Sequence, residues 1–409
     1  MAIQKRPGTP SKPRTIQPEP LQFDFFATDD RGYSKALGLW DMAPYTVLYT
    51  SQEDRESGRF LRSIDRTFEA GGRVYKLTLR PARIRHEDGR ETDEYPGERE
   101  HLVELAIRRI ATIHRDMSLD SDEVVSVTVG LYQIYNELQS NGHWYRYEEI
   151  EEALSILNKA QVEISRLDTD ADGEEVENIL SEPIFPTLRY RRNTNKDRVA
   201  GNTARIRLNS LMADAIKRLD LHDVDYGLLM SLKPIPRWVY KRLHYLVLFS
   251  RDVTQREFQI RASEIQQISG MGTYSRARDA WEKITEYMSD LVSSGIADEV
   301  TPEPVLERSA KRGRPKRVDI IYNIKLSSWF MDTCARARRR MIRDREDFVA
   351  VVGRQPQEGW HRPKPATRKK LMERKEVRKE GDLPLLRDVD DVAEDEDGGT
   401  ICATRREDG

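Results

Sequence analysis

Cysteine is nearly absent from this 409-residue sequence. Cys334 and Cys402 are the only two and lie far apart, so no disulfide framework can brace the fold, and a reducing cytosol fits. Long apolar runs are absent as well: no stretch reaches the roughly 18 residues that a membrane span needs. The basic N-terminus, MAIQKRPGTPSKPR, has no apolar stretch behind it, which sets aside a secretory signal. The seven histidines are scattered, with no His-x-His pair and no grouping with cysteine, so neither a metal centre nor a metal-dependent nicking site is expected. A Gly-x-x-x-x-Gly-Lys-Ser/Thr run is missing, which removes an ATP-driven helicase. The carboxylates near the C-terminus follow one another too closely to build a two-metal site. No cofactor and no catalytic residue are expected, so binding has to carry the function.

What the chain does have is charge. Charged residues make up 34% of it, against 38% apolar, enough apolar residue for packed cores with long polar surfaces or arms. The net charge of −2 conceals a segregation. Ser231 to Arg345 holds 23 Lys/Arg against 14 Asp/Glu, whereas Gly381 to Gly409 holds 3 against 10. A basic body with an acidic tail is the electrostatic layout of many nucleic-acid binders.

Hydrophobic periodicity predicts an α+β fold of tandem winged-helix domains with a disordered N-terminal arm and a disordered C-terminal tail. Residues 1–33 are rich in Pro, Lys, Arg and Asp and read as the arm. Residues 34–220 form the first domain, which starts in a β-rich segment with strand candidates Tyr45–Tyr49 and Arg73–Leu79. Helices follow over 97–114 and 147–162, and between them 124–138 starts as a strand and continues as a helix. Extended segments at Ile179–Arg192 and Ala204–Asn209 then flank a loop, R-R-N-T-N-K-D-R-V-A-G-N. Three helices followed by a hairpin is the order of a winged helix, and it recurs in residues 221–350. There the helices are Ile235–Phe249, Ala262–Ile268 and one from the N-cap Ser275 to Ser293. The strands are Phe258–Arg261, Ile296–Val300 and Val318–Leu326, and a helix over Ser327–Asp347 closes the domain. Residues 351–409 read as a charged tail.

The strongest local signal is Lys311-Arg312-Gly313-Arg314-Pro315-Lys316-Arg317, between two predicted strands where a wing belongs. Arg-Gly-Arg-Pro is the core of the AT-hook: glycine allows close approach and both arginines can reach the floor of a narrow AT-rich minor groove. The second signal is the start of the helix at Thr273. In a helix-turn-helix the first residues of the second helix face base edges, so Arg276 is placed to pair with guanine. Tyr274, Ser275, Arg278 and Lys283 are candidates for bases or phosphates. The equivalent helix of the first domain carries Glu148, Glu149, Glu151 and Glu152, which phosphates would repel, so that domain is expected to dimerise or to assist. Its wing, with Arg189, Arg191 and Arg192, could still grip the backbone. Arg237, Lys241 and Arg242 are further candidate phosphate contacts, and Trp238 reads as core.

Four stretches carry a resemblance. They are R-x-x-x-R-x-F-x-x-x-G-x-x-Y at Arg62–Tyr75, the helix Tyr147–Ala160, F-Q-I-R-A-S-E-I at Phe258–Ile265, and above all D-Y-G-L-L-M-S-L-K-x-x-x-R-W-V-Y-K-R-L from Asp225 to Leu243. Over roughly residues 20–345 the sequence resembles the plasmid replication initiator protein A family of proteobacteria. The resemblance implies a cytoplasmic, DNA-associated protein whose tandem winged helices bind repeated origin sites on double-stranded DNA. It also implies dimers that limit copy number, monomers that open AT-rich DNA, and recruitment of the host replicative helicase. Within the arm, Gln22-Phe23-Asp24-Phe25-Phe26 resembles the pentapeptide that binds the bacterial sliding clamp, Q-L-[SD]-L-F, with Phe at both leucine positions. The competing explanation is that these phenylalanines pack on the first domain. Two other functions stay open at this point: a winged-helix transcription regulator, and a nuclease of nucleic-acid processing.

Overall fold

The computed structural model describes residues 21–27, 32–48, 61–86, 88–114, 117–119, 124–170, 173–191, 202–250, 252–271, 274, 276–307, 316–356 and 387–388. Among them, helices alternate with several small antiparallel sheets, none larger than four strands. No helix of the described residues is long and apolar enough to cross a membrane.

The chain starts with helix α1 (Leu21–Phe26), strand β1 (Tyr33–Leu37) and the short helix α2 (Gly38–Met42), which is buried throughout. Strands β2 (Ile64–Ala70) and β3 (Arg73–Arg80) then form a hairpin. Along β3 Tyr75, Leu77 and Leu79 are buried while Lys76 and Arg80 are exposed, the period-two alternation of a sheet with one face on the core. A second small hairpin, β4 (Ala82–Arg85) with β5 (Glu91–Glu94), precedes helix α3 (Glu98–His114). The predicted strand Tyr45–Tyr49 does not form over its described part. Val47 N donates to Pro96 O and Leu48 N to Gly270 O, so this stretch bonds as a strap across other elements.

After α3 comes β6 (Met117–Leu119), which was not expected, and then β7 (Val125–Gly130), α4 (Leu131–Ser140) and α5 (Tyr147–Lys159), close to the predicted bounds. The sequence does not announce the next feature. Strands β8 (Gln161–Asp170) and β9 (Gly173–Pro183) make a long hairpin whose first strand pairs with β3, completing the sheet β2-β3-β8-β9. Then β10 (Thr187–Arg191) and β11 (Thr203–Arg207) return to β7, giving the order β10-β11-β7-β6.

Helix α6 (Ser210–Lys217), capped by Asn209 accepting from Met212 N, leads to β12 (Leu221–Asp225), α7 (Tyr226–Ser231) and α8 (Pro234–Phe249). Strand β13 (Glu257–Arg261), helices α9 (Ala262–Ile268) and α10 (Ala277–Ser293), and strands β14 (Ala297–Glu307) and β15 (Lys316–Leu326) follow. Helix α11 (Ser328–Val352) starts on the Ser327 cap and stops at Gly353, which takes the left-handed conformation (φ 74°). Helix α10 begins two residues after the predicted cap, with Arg276 at the N-cap; Ser275 lies outside the described residues.

One arrangement therefore occurs twice. The order helix, strand, helix, helix, strand, strand is α3-β7-α4-α5-β10-β11, interrupted by β6 and by the β8–β9 hairpin, and again α8-β13-α9-α10-β14-β15. In both sheets the last strand lies in the middle, as β10-β11-β7 and β14-β15-β13.

The expected division at 220/221 does not separate two bodies. β12, immediately after that point, pairs antiparallel with β1, with Leu37 opposite Leu221 and Tyr33 opposite Asp225. The buried apolar residues of both halves form one continuous cluster, from Phe26 to Phe348. Nor does the arm extend to residue 33, since α1 and the first residue of β1 fall inside it.

Candidate nucleic-acid interface

In the second unit, α9, the turn at Gly270 and α10 bring the start of α10 to the surface. Arg276 is exposed and has no ion pair with any described residue, and Tyr274 beside it is 39% exposed. Arg278 donates to Glu282 at 2.7 Å and Lys283 to Glu286 at 2.8 Å, both exposed pairs one helical turn apart. The Lys283 ammonium also sits 5.0 Å from the centre of the Tyr287 ring. These bases are thus held by their own helix, through contacts that phosphates can exchange cheaply because both partners stay in water.

Beside α10, β14 and β15 form a two-stranded projection of 11 residues a side, roughly 35 Å long. It is twice the predicted length on the β14 side because the positions after Val300 are all exposed but for the half-buried Val305 and pair without needing a core. Lys316 and Arg317 open β15 and are exposed, opposite Glu307 and Leu306. Lys311, Arg312, Gly313 and Arg314 lie outside the described residues.

The first unit presents a comparable hairpin. Arg189 and Arg191 are exposed on one face of β10. The register sets Arg189 opposite Arg205, also exposed, and Thr187 opposite Arg207, so the face carries more arginines than the sequence reading assigned to it. Strand alternation across 187–191 and 203–207 was the available signal for Arg205 and Arg207. Arg192 lies outside the described residues. The carboxylates of α5 have structural employment: Glu149 accepts from Arg146 N at 2.7 Å, and Glu152 accepts from Arg99 at 2.9 Å. Their repulsion of phosphate is unchanged by that.

Three candidates are corrected. Arg237, Lys241 and Arg242 face the interior, not solvent. Arg237 is 2% exposed and donates to Leu229 O at 2.8 Å and Leu232 O at 2.6 Å, with Glu98 3.6 Å away. Lys241 reaches the Asp41 carboxylate at 3.3 Å. Arg242 donates to Glu69 O at 3.3 Å and lies over the Trp238 ring. Burial pulls the pKa of all three below its ordinary value. Helix α8 places its cations against the first unit, so they join the two halves together.

The centre of that joint is Asp41. Arg108 holds it with two bonds, Nη1 to Oδ2 at 2.6 Å and Nη2 to Oδ1 at 3.0 Å, and Leu37 N donates to it at 2.6 Å. Burial pushes its carboxyl up, but Arg108 and Lys241 outweigh that and hold it well below the carboxylate range. Next to it Tyr45 Oη meets His101 Nδ1 at 2.7 Å. Burial, then the cations of Lys241, Arg237 and Arg108, push His101 well below the usual imidazole value, so it is neutral.

The segment resembling a clamp-binding peptide is helical, not extended. Asp24 is exposed, Phe25 is half-buried and edge-on to Phe348 at 6.4 Å, and Phe26 is 1% exposed. The side chains of Gln22 and Phe23 lie outside the described part of the structure. An extended pentapeptide would have to withdraw Phe26 from the core first, so the packed state favours the structural explanation. No group of three or more His, Cys, Asp or Glu among the described residues could hold a metal ion.

No family model matches the chain, and no curated protein matches it. Among solved structures, a crystal structure of domains 2 and 3 of RctB (selenomethionine derivative) is similar at 11% identity and a TM-score of 0.40, covering 71% of this chain and 96% of that one. A second crystal structure of RctB domains 2–3 gives 8% identity and a TM-score of 0.37, covering 72% and 98%. Both likenesses are loose.

Proposed function

We propose that the chain is a plasmid replication initiator that binds repeated origin sites on double-stranded DNA through two winged helices. One observation carries this reading: the order helix, strand, helix, helix, strand, strand occurs twice with the same strand order in the sheet. In the second copy Arg276, exposed and without an ion pair among the described residues, starts the third helix, beside a hairpin that opens on Lys316 and Arg317. That is the geometry in which a helix N-terminus meets base edges while a wing follows the backbone. The resemblance of Asp225–Leu243 to the initiator protein A family supplies the link to replication. The protein acts by binding, opens AT-rich DNA, exchanges between dimer and monomer, and recruits the host helicase.

The test is a minimal replicon carrying this gene and its flanking DNA without another origin. Stable colonies are expected, and they should vanish when Arg276 and Arg312 are changed at unaltered protein level. No colonies with the intact protein expressed would move the reading to a transcription regulator. Supercoiled origin DNA incubated with the protein and Mg²⁺ or Mn²⁺ should stay uncut; nicking would make it a nuclease.

Arg276→Ala should weaken binding by about 1–3 kcal/mol and relax preference at one base position. Affinities measured across single-base variants of the site check this: an equal loss on every sequence makes Arg276 a phosphate contact. Replacing Arg312 and Arg314 together should weaken AT-rich sites most, and an equal loss on GC-rich duplex removes the minor-groove role.

A further inference from the structure

The sheet of the second unit has two outer edges, and the chain treats them differently. On β14, Pro302 and Pro304 stand two apart, opposite Tyr322 and Ile320. In an antiparallel ladder residues two apart turn their N–H groups to the same side, so these prolines strip successive donors from one side of the strand. The ladder to β15 keeps its register through both, which puts the stripped side outward. Glu299 and Glu303 add exposed charge there. An edge with missing donors and exposed charge resists strand addition.

β13 lies at the other side and contains no proline. Phe258 and Ile260 are buried, so the core fixes the strand while its outer backbone faces away from β15. A segment from more than a hundred residues along the chain pairs with that edge. Phe258 stands opposite Asp388 and Gln259 opposite Arg387, antiparallel, in strand β16 (Arg387–Asp388).

We infer that the outer edge of β13 is a strand-acceptor site whose resident is the chain's own C-terminal segment at Arg387–Asp388. Main-chain bonds give such an addition its affinity. The occupant brings charge with it. From Asp388 to Asp397 seven of ten residues are Asp or Glu and none is Lys or Arg, whereas Ser231 to Arg345 carries 23 Lys/Arg against 14 Asp/Glu. The carboxylates after Asp388 lie outside the described residues, but the chain tethers them to this anchor, and from there they would compete with DNA for the cations of the unit proposed to grip phosphates. That consequence rests on the DNA-binding reading; the strand addition does not.

Two full-length variants separate backbone pairing from charge: R387P/D388P, which cannot complete the ladder, and R387A/D388A, which can. Both remove one charge of each sign. Hydrogen exchange of the amides of residues 257–261 is measured first. The alanine pair should match the parent, and the proline pair should lose protection. Equal exchange in all three overturns the acceptor site. Affinity for random-sequence duplex at low salt is measured second, and the proline pair should bind about tenfold tighter than the alanine pair. Equal affinities with altered exchange would leave the acceptor site and overturn the competition. Absence of DNA binding by every protein, with exchange altered as expected, would fail the DNA-binding reading alone.

Discussion

Asp41→Ala is expected to destabilise the chain by about 3–5 kcal/mol, because it leaves Lys241 buried without its carboxylate and Arg108 with Glu104 alone. Arg108 and Lys241 both lie within bonding distance of Asp41 and neither reaches solvent freely. Asp41→Asn keeps an acceptor for Leu37 N but not the charge, so it should recover only a small part of the loss. Denaturant unfolding of the two variants checks both statements. A cost near that of an exposed ion pair, under about 1 kcal/mol, would mean that water reaches the site. The same joint sets the acid side of the stability profile. A carboxylate with a lowered pKa lends stability that is present above its unfolded value of 3.8 and lost as pH falls towards the folded one. His101 acts earlier: its folded pKa lies well below 6.5, so from about pH 6.5 downward the unfolded chain takes up a proton that the folded chain refuses, and stability declines. Burial also lowers His244 and raises Glu264, which push this slope in opposite directions, so the check is a difference: His101→Gln should lose less stability between pH 7 and pH 5 than the parent, and equal slopes would contradict this.

Gly270→Val should cost about 3 kcal/mol, combining a strained backbone with a collision. Gly270 has φ +81°, and a Cβ there would meet the Thr46 carbonyl oxygen, which Arg66 already holds at 2.6 Å. The Gly270 carbonyl accepts from Leu48 N at 2.8 Å, so the strap at 46–48 lies directly on this turn. Gly295→Val is the control. Its φ is +75° but nothing stands within 4 Å of its Cβ position, so only the backbone strain of about 1–2 kcal/mol applies. Equal losses at the two glycines in denaturant unfolding would show that the strap yields.

Elements with their own periodicity were legible in the chain. Glu98–His114, Tyr147–Lys159 and Pro234–Phe249 each repeat apolar residues at helical spacing, and Arg73–Arg80 alternates. Partnership was not legible. Arg237, Lys241 and Arg242 read as phosphate contacts until distant residues supply partners, as Asp41 does for Lys241 from 200 residues away in sequence. The helix expected over 147–162 runs into the first two residues of β8 and the rest of β8 carries no expectation, because its pairing is with β3, more than eighty residues earlier. Arg205 becomes a candidate only when the register sets it beside Arg189. Phe26 carries a motif that fits an extended ligand, and packing decides otherwise.

The pairing of β1 with β12 makes the molecule a ruler. Two reading heads on independent beads could each find a site and swivel to suit any spacing between them. Here one strand pairing, one continuous core and the buried Asp41–Lys241 ion pair bind the halves together, so the distance and the rotation between the proposed heads are properties of the fold. A duplex presents successive sites with a phase that advances a full turn about every 10 base pairs. A second site moved by half that interval would turn to the far side of the helix, where a fixed head cannot follow. Under the DNA-binding function proposed above, spacing between sites, not only their letters, becomes part of what this protein can read.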